Sequence, residues 1–211
     1  MYVPAAFRET DPGKLFDLIE QYSFGLLVSQ ADDRPFATHL PMLLERSAGS
    51  QGRLIGHVAR ANPHWQTAAG QKVLAIFSGP HAYISPSWYE SDNVVPTWNY
   101  VAVHVYGTFR AIEETGELLQ IVGKYVDYYE APLPRPWKFD PGSEFSQKLA
   151  QSIVGFNIEI ERIEGKWKLN QNHPRERREK VVNALRAGGS GMDAAIADLI
   201  EEQLAKAPPA K

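Results

Sequence analysis

Short runs of alternating apolar and polar residues predict β-strands over much of the first half of the chain. Apolar side chains recur at every second position in these runs, which is the period of a strand with one buried face. The predicted strands cover residues 24–29, 35–44, 53–59, 73–77, 82–85 and 95–111. The turn at 31–34 predicts a hairpin between the first two. The run at 95–111 is long for one strand, so we expect a bulge or bend in it.

Later in the chain, helical and strand patterns alternate. The run 154–163 predicts a strand, and Glu164-Gly165 predicts a turn into a short strand at 166–169. Helical spacing is found after Asp11-Pro12, at 118–129, at 144–152 and from Pro174 onward, with a break at 188–191. A further short helix is expected from Asn62-Pro63 to Ala69. Many short strands with few helices favour a barrel over a parallel sheet.

Composition excludes several classes of site. The 211 residues are enough for a sizeable core, and the absence of cysteine rules out disulfides, thiolate metal sites and thiol nucleophiles. No apolar run approaches the roughly 20 residues that span a bilayer, and the N-terminus lacks the pattern of a signal peptide. We therefore expect a cytoplasmic protein without membrane contact. A net charge of -3 argues against nucleic acid as the main partner.

One polar segment, 56–65, predicts an anion site. A strand is expected to end near Ala59 and a helix to start near Asn62, so free N–H groups would lie next to Arg60. His64 adds a possible donor. The alternative is structural: Asn62 caps the helix, Arg60 is solvated and Trp65 packs.

Three further segments offer polar and aromatic groups near predicted strand ends. Thr38 and His39 lie on opposite faces of a strand that Pro35 and Pro41 should keep partly free of ladder bonds, as at a sheet edge. Such a strand could present backbone groups to the polar edge of a flavin ring. The segments 97–100 and 166–172 add amide, hydroxyl, ammonium and aromatic groups. A buried histidine and an aromatic cluster are the structural alternative.

Other chemistries lack their motifs. The six histidines show no helical metal-binding spacing and no His-Glu-x-x-His, so no metal site is expected. There is no Gly-x-Ser-x-Gly, no Gly-x-Gly-x-x-Gly and no phosphate loop. Serine hydrolysis and the usual modes of dinucleotide or ATP binding are therefore not predicted.

Several blocks of sequence resemble one known family. They occur in the same order as in PaiB-type FMN-binding split-barrel proteins, from residue 1 to about residue 185. The blocks are MYVPAAF at 1–7, GHVARANPHW at 56–65, FSGPHAYISPSWY at 77–89, VPTWNY at 95–100 and KWKLNQN at 166–172.

The resemblance implies a mainly β fold with peripheral helices. The expected core is a six-stranded FMN-binding split β-barrel over residues 1–172, and residues 173–211 form a C-terminal helical extension packed outside it. Such proteins are homodimers that bind FMN in grooves between subunits and are often described as negative transcriptional regulators. Because the basic strand motif and substrate-binding arginines of the related oxidases are missing, oxidoreductase activity and its substrate are left open.

The resemblance also assigns cofactor-binding residues. Thr38 and His39 would border the flavin ring, and one block of side chains would hold the ribityl phosphate. Two further blocks would close the site, in part from the partner subunit. The phosphate block is His57, Arg60, Asn62 and Trp65, and the closing blocks are Thr97, Trp98, Asn99 and Tyr100 together with Lys168 and Gln171.

Two alternative functions remain open at the level of sequence. The first is a DNA-binding repressor that uses the C-terminal helices, although acidic residues offset their arginines and the break at 188–191 is looser than a helix-turn-helix turn. The second is haem binding, since histidines are available. A flavin-dependent redox or sensing protein linked to negative regulation is the leading hypothesis.

Overall fold

The structure is a computed structural model that describes residues 1–206. Its eight strands follow the order β3-β2-β6-β7-β8-β5-β4 through hydrogen-bonded neighbours, and β1 pairs with β8. The sheet is mainly antiparallel and is not closed. Six strands have seven or more residues, which agrees with the expected six-stranded fold. The strands are β1 (Arg8–Glu9), β2 (Phe24–Ala31), β3 (Arg34–Pro41), β4 (Leu43–Glu45), β5 (Arg53–Ala59), β6 (Lys72–Ile84), β7 (Thr97–Ile112) and β8 (Ile153–Lys168).

Six α-helices accompany the sheet within residues 1–206. Their positions confirm the helical patterns read from the sequence, including the break between the last two. None of these described helices has the length and apolar character needed to cross a membrane. The helices are α1 (Pro12–Gln21), α2 (His64–Ala68), α3 (Thr115–Glu130), α4 (Glu144–Ala150), α5 (Arg175–Gly188) and α6 (Gly191–Lys206), with 3-10 turns at Ala5–Phe7 and Pro86–Tyr89.

The chain divides into two compact units. The first unit comprises Met1–Leu15, Ser78–Val103 and the chain from Glu164 onward. The second unit comprises Phe16–Phe77 and His104–Ile163. The C-terminal helices thus group with two earlier segments, and the expected boundary at residue 172 stays a prediction. The last five residues of the predicted extension lie outside the described residues.

The second unit contains the predicted hairpin. Asp32 and Asp33 take left-handed φ values of 48° and 58°, which suit the two-residue turn between β2 and β3. The ladder then runs from Ala31 opposite Arg34 to Phe24 opposite Pro41. The core of this unit includes Phe109 stacked on Phe156 with ring centroids 4.9 Å apart. β3 lies at one end of the strand order, so the predicted edge strand is confirmed.

The first unit is built around an antiparallel helix pair. Arg186 near the end of α5 bonds Asp198 and Glu201, while Arg175 at its start donates to the Leu204 carbonyl at 3.1 Å. Gly189 between the helices has φ 74° and permits a tight reversal. The paired ends make this an αα-hairpin, whose helices run antiparallel, and not the steeply crossed pair of a helix-turn-helix.

Two predicted breaks in the sheet are absent. The turn expected at Glu164-Gly165 is wrong, because β8 continues to Lys168. A Cβ on Gly165 would lie 2.2 Å from a side-chain carbon of Leu15, so glycine permits a close approach there and does not mark a turn. The expected gap between residues 77 and 82 is also wrong, because β6 runs through it. Pro80 lies outside the stretch Leu74–Ile76 that pairs with β2, so its missing N–H costs no ladder bond to that strand.

One predicted strand is interrupted. Residues 35–44 were expected to form a single strand, but β3 ends at Pro41 and β4 begins at Leu43. Met42 between them is fully buried, and its N–H donates to the Ser23 carbonyl at 2.9 Å. The chain therefore changes partner at this point, and β4 pairs with β5.

Candidate functional site

In the second unit, His64 lies at the centre of a buried polar network. Its two ring nitrogens are hydrogen-bonded to the hydroxyls of Ser29 at 2.9 Å and Thr38 at 2.8 Å. Burial lowers the pKa of His64, which favours the neutral ring. The network ties β2 and β3 to the start of α2.

Asn62 joins this network from the segment before α2. Its side-chain amide donates to Thr38 at 3.2 Å, and its oxygen accepts from the His64 N–H at 3.0 Å. The helix therefore starts at His64, two residues after the predicted cap, and has only five residues. Because it is so short and its first N–H is already bonded, the helix offers little of the predicted helix-end attraction for an anion.

Arg60 is held in one orientation by three bonds. Its guanidinium donates to the carbonyls of Gln151 at 2.9 Å and Ile153 at 3.1 Å, and to the carboxylate of Glu113 at 2.7 Å. A guanidinium has five N–H groups, so two remain available. Trp65 packs beside it and donates its indole N–H to the Arg60 carbonyl at 3.0 Å. The result is a fixed, partly exposed cation.

The two neighbouring histidines behave differently. His39 is exposed on the edge strand, opposite in direction to Thr38 as expected, and stacks against the exposed ring of Phe24 at 6.4 Å. His57 is partly buried and packs edge-on against Tyr125 at 5.2 Å. Its Nδ1 has no hydrogen-bond partner within the described residues, and burial lowers the pKa of His57. His39 can contact a ligand, whereas His57 is placed as a packing residue.

The first unit presents two lysines on one face of β8. Lys168 donates to the Thr97 hydroxyl and to the Trp98 carbonyl, the latter at 2.9 Å. Lys166, two residues earlier, donates to the Tyr2 carbonyl at 3.1 Å and lies over the ring of Tyr100 at 5.1 Å. Within residues 1–206, neither ammonium forms a salt bridge with a carboxylate. Burial and the charge of Lys166 lower the pKa of Lys168.

An exposed aromatic group lies beside these lysines. Trp98 is 53% exposed, and its ring lies 5.9 Å from that of Tyr83 and 6.1 Å from that of His81. Aromatic faces next to cations that lack a neighbouring carboxylate suit a flat, negatively charged ligand. We call Lys166, Lys168, Trp98 and Tyr83 the lysine–aromatic patch.

Two predicted residues near this patch have unlike surroundings. Asn99 is completely buried, and neither atom of its amide has a hydrogen-bond partner among residues 1–206. Such a group is costly unless something else satisfies it. Gln171 is satisfied within its own turn, where it accepts from the Leu169 N–H at 2.7 Å and donates to the Trp167 carbonyl. It therefore shapes the chain after β8.

The predicted site residues thus fall into separate groups. Thr38 contacts Asn62, and Arg60 contacts Trp65, all in the second unit; Lys168 contacts Thr97 and Trp98 in the first. His57, Asn99 and Gln171 contact none of these by a hydrogen bond. The sequence hypothesis omitted Lys166 and Tyr83. Lys166 is two residues from Lys168 along β8, and that period-two spacing was the signal that could have identified it. Tyr83 joins the patch through its contact with Trp98 on another strand, for which the sequence carried no local signal.

The comparisons with known proteins decide the family. The model of a family described as "Putative FMN-binding domain" matches residues 1–162. The chain belongs to this family. It is 36% identical over 211 residues to the Bacillus subtilis protein called "Protease synthase and sporulation protein PAI 2", covering 98% of this chain and 99% of that one. An uncharacterized Aspergillus fumigatus protein is 28% identical and covers 96% of this chain and 97% of its own.

Solved structures confirm the fold. The flavocytochrome Anf3 from Azotobacter vinelandii superimposes with a TM-score of 0.56 at 14% identity, over 82% of this chain and 75% of that chain. The FAD and heme binding protein from Mycobacterium smegmatis gives 0.56 at 14% identity, over 87% and 80%. At this identity the likeness concerns fold alone. The mainly β split-barrel class with peripheral helices is confirmed.

FMN is the cofactor of this family and of this chain, and the described residues fit it. FMN combines a phosphate with a flat ring system. In the second unit, Arg60 keeps two N–H groups for an anion such as the phosphate. In the first unit, the lysine–aromatic patch offers ring faces and positive charge, and the Asn99 amide lacks a partner that a ligand edge could supply.

Proposed function

We propose that this FMN-binding protein is a flavin-dependent redox or sensing protein. The observation that supports this best is the lysine–aromatic patch, in which two lysines of one strand form no salt bridge within residues 1–206 and Lys166 lies over the ring of Tyr100. Buried or half-buried ammonium groups without a counter-ion destabilise a fold, and a ligand that carries negative charge would supply the missing counter-ion. When bound, FMN supplies one- and two-electron redox chemistry.

For the phosphate we propose Arg60, with Asn62 and Trp65 beside it. The Arg60–Glu113 pair is exposed, with 38% and 55% of the two side chains accessible, and exposed pairs contribute only about 0–1 kcal/mol. A phosphate can therefore bind the Arg60 guanidinium beside Glu113, or in its place, at little cost in free energy. The bonds that the guanidinium donates to the carbonyls of Gln151 and Ile153 keep it oriented, which reduces the entropy lost on binding.

For the flavin ring we propose two separate contact surfaces. One is the edge strand at Thr38 and His39, where backbone groups and the exposed imidazole are available. The other is the lysine–aromatic patch with Thr97, Asn99 and Tyr100. There, Lys168 would stabilise the negative charge that the ring system gains on reduction, and Trp98 would cover a ring face. Each surface can be tested by substitution of its own residues. FMN and riboflavin share the ring, so loss of a ring contact should weaken both ligands alike.

We also propose that the protein is a cytoplasmic homodimer. Exposed aromatic residues occur in both units, among them Phe24 at 67% and Trp98 at 53%. Large exposed apolar groups of this kind mark interfaces or ligand sites. Light scattering at micromolar concentration should give twice the chain mass of 23.6 kDa. A stable monomer would contradict the dimer and leave the flavin proposal to be judged separately.

A role in regulation is proposed only through likeness. The Bacillus subtilis relative carries a name that refers to protease synthesis and sporulation. We propose that any such role of this chain depends on flavin, since the cations of α5 and α6 are largely paired within the helices or with nearby loops. Direct DNA binding is therefore not part of the proposal, and the reaction, if one is catalysed, stays open.

An absorption spectrum of purified protein, before and after addition of FMN, tests the proposal. We expect flavin absorption bands at about 370 and 450 nm, close to those of free FMN. These bands should elute with the protein in gel filtration. A strong Soret band without flavin would instead support haem binding. Protein that neither carries nor retains FMN would overturn the proposal.

A further inference from the structure

Helix α4 in the second unit exposes an apolar face. Phe145 is 70% exposed and Leu149 is 51% exposed, and residues four apart lie on one side of a helix. The preceding loop adds Trp137, which is 59% exposed. None of these residues belongs to the flavin surfaces. Their shared exposure needs a separate explanation, because contiguous apolar surface in water is unfavourable.

These side chains border a cleft of about 270 Å³. Its walls come from α3, the loop before α4, α4 itself and the start of β8. The floor belongs to a small buried cluster in which Leu119 and Ala150 pack with Phe139 and Ile153. Because that cluster is already packed, the cleft is formed before any ligand enters. The lining residues are Leu119, Val122, Trp137, Phe139, Phe145, Ser146, Leu149, Ala150, Ser152 and Ile153.

The serine hydroxyls of the lining already form hydrogen bonds within the chain. The Ser146 hydroxyl accepts from Ser143 at 2.9 Å, and the Ser152 hydroxyl donates to the Leu149 carbonyl at 2.7 Å. Of the residues that the structure describes, none with a charged side chain lines the cleft. A charged ligand group would lose its hydration there without a partner, so the surroundings favour an uncharged, apolar occupant.

Size and shape narrow the class further. An apolar cavity of about 150 Å³ holds one benzene ring, so a cleft of about 270 Å³ has room for two fused rings. The rings of Trp137, Phe139 and Phe145 supply faces and edges for aromatic packing. We propose that this cleft binds an uncharged two-ring aromatic molecule. No residue proposed to contact FMN lines the cleft, although the carbonyl of Ile153, a lining residue, accepts from Arg60. The inference does not depend on the flavin proposal.

Calorimetric titration of the full-length, FMN-saturated protein with 2-naphthol tests the inference. We expect saturable binding of one equivalent per chain. The 2-naphthoate ion has the same ring system with a charge, and it should bind at least about tenfold more weakly because its carboxylate would be desolvated without a partner. Weaker binding of single-ring phenol would confirm that both rings are accommodated.

Two exposed leucines provide a matched pair of variants. Leu149→Glu places a charge in the cleft and should weaken 2-naphthol by about tenfold or more. Leu133→Glu makes the same change at a leucine that is 47% exposed but does not line the cleft, and it should have no effect. Binding that is absent in wild type, equal in both variants or displaced by excess FMN would overturn the inference. So would a loss of dimer mass in Leu149→Glu alone, because the occupant would then be a second copy.

Discussion

The Nζ of Lys168 donates to the backbone carbonyl oxygen of Trp98 at 2.9 Å, so a cation of β8 is fixed against the main chain of β7 at a residue that is 53% exposed. The pKa of Lys168 is lowered by burial and by the neighbouring charge of Lys166. A negative charge near this ammonium would relieve both effects. The relationship therefore connects the fold to the proposed redox role of the ring.

Replacing Lys168 should lower the midpoint potential of bound flavin. Lys168→Met removes a cation that stabilises the reduced ring. A charge-assisted contact of about 1.5–3 kcal/mol corresponds to a fall of about 30–60 mV for a two-electron couple. Spectroelectrochemical titration measures the potential. Lys168→Arg should restore most of it, and Lys72→Met, at an exposed lysine paired with Glu161, should leave it unchanged. An unchanged potential in Lys168→Met would remove this residue from the ring surface.

The buried amide of Asn99 should make the flavin-free protein less stable than an apolar side chain at the same position would. This amide lacks a hydrogen-bond partner in the described part of the chain, so Asn99→Leu should raise the free energy of unfolding of the flavin-free protein by about 1–3 kcal/mol. The same variant should bind FMN more weakly if the amide meets the ligand. Asn170→Leu is the control, because the Asn170 amide donates to the Tyr89 hydroxyl at 2.9 Å and its loss should destabilise the protein. Urea unfolding with and without FMN measures both effects, and destabilisation by Asn99→Leu would contradict the prediction.

Stability should fall as the solution is acidified below the ordinary histidine pKa of about 6.5. Burial lowers the pKa of His57, His64 and His173 in the folded protein, so the unfolded chain binds more protons in this range. The stability that these neutral histidines allow is fully present above pH 6.5. It is lost as the pH falls from there toward their lowered pKa values in the folded protein.

His57→Phe keeps the packing against Tyr125 but removes one of these titrating groups. Its free energy of unfolding should therefore fall less than that of wild type between pH 7.5 and 5.5, roughly one pH unit either side of the ordinary histidine pKa. Urea unfolding at each pH measures this. An equal pH dependence of the free energy of unfolding in variant and wild type would mean that His57 does not gain a proton on unfolding.

The helix pair α5–α6 should not bind DNA tightly. Arg175, Lys180, Arg186 and Lys206 are paired with carboxylates, and Arg178 is buried. Without clustered free cations, binding at physiological salt should be no tighter than non-specific affinities of about 1–100 μM. Fluorescence anisotropy with labelled duplex DNA measures this. Nanomolar, salt-sensitive binding to a defined sequence would establish the repressor alternative.

Local sequence signals predicted much of the fold but less of the site. The bounds of β5 and the hairpin turn at Asp32-Asp33 followed from alternation and turn chemistry. Gly165 was misread because a glycine at a close approach and a glycine in a turn look alike until the opposing Leu15 is known. The partners of Arg60 were equally inaccessible, since Glu113, Gln151 and Ile153 are distant in sequence. Contacts of this kind depend on tertiary structure, which one sequence does not encode locally.

The comparison of FMN with riboflavin in wild type and Arg60→Ala tests the central proposal most directly. The two ligands share the ring and differ in the phosphate, so loss of the guanidinium should weaken FMN about ten-fold to a hundred-fold and leave riboflavin nearly unchanged. Arg46→Ala, at an exposed arginine paired with Asp17 and Glu20, is the matched control and should change neither affinity. Flavin fluorescence titration gives all six affinities. Equal losses for both ligands in Arg60→Ala, no loss for either, or an FMN-specific loss found in Lys168→Met instead would contradict the assignment of the phosphate to Arg60.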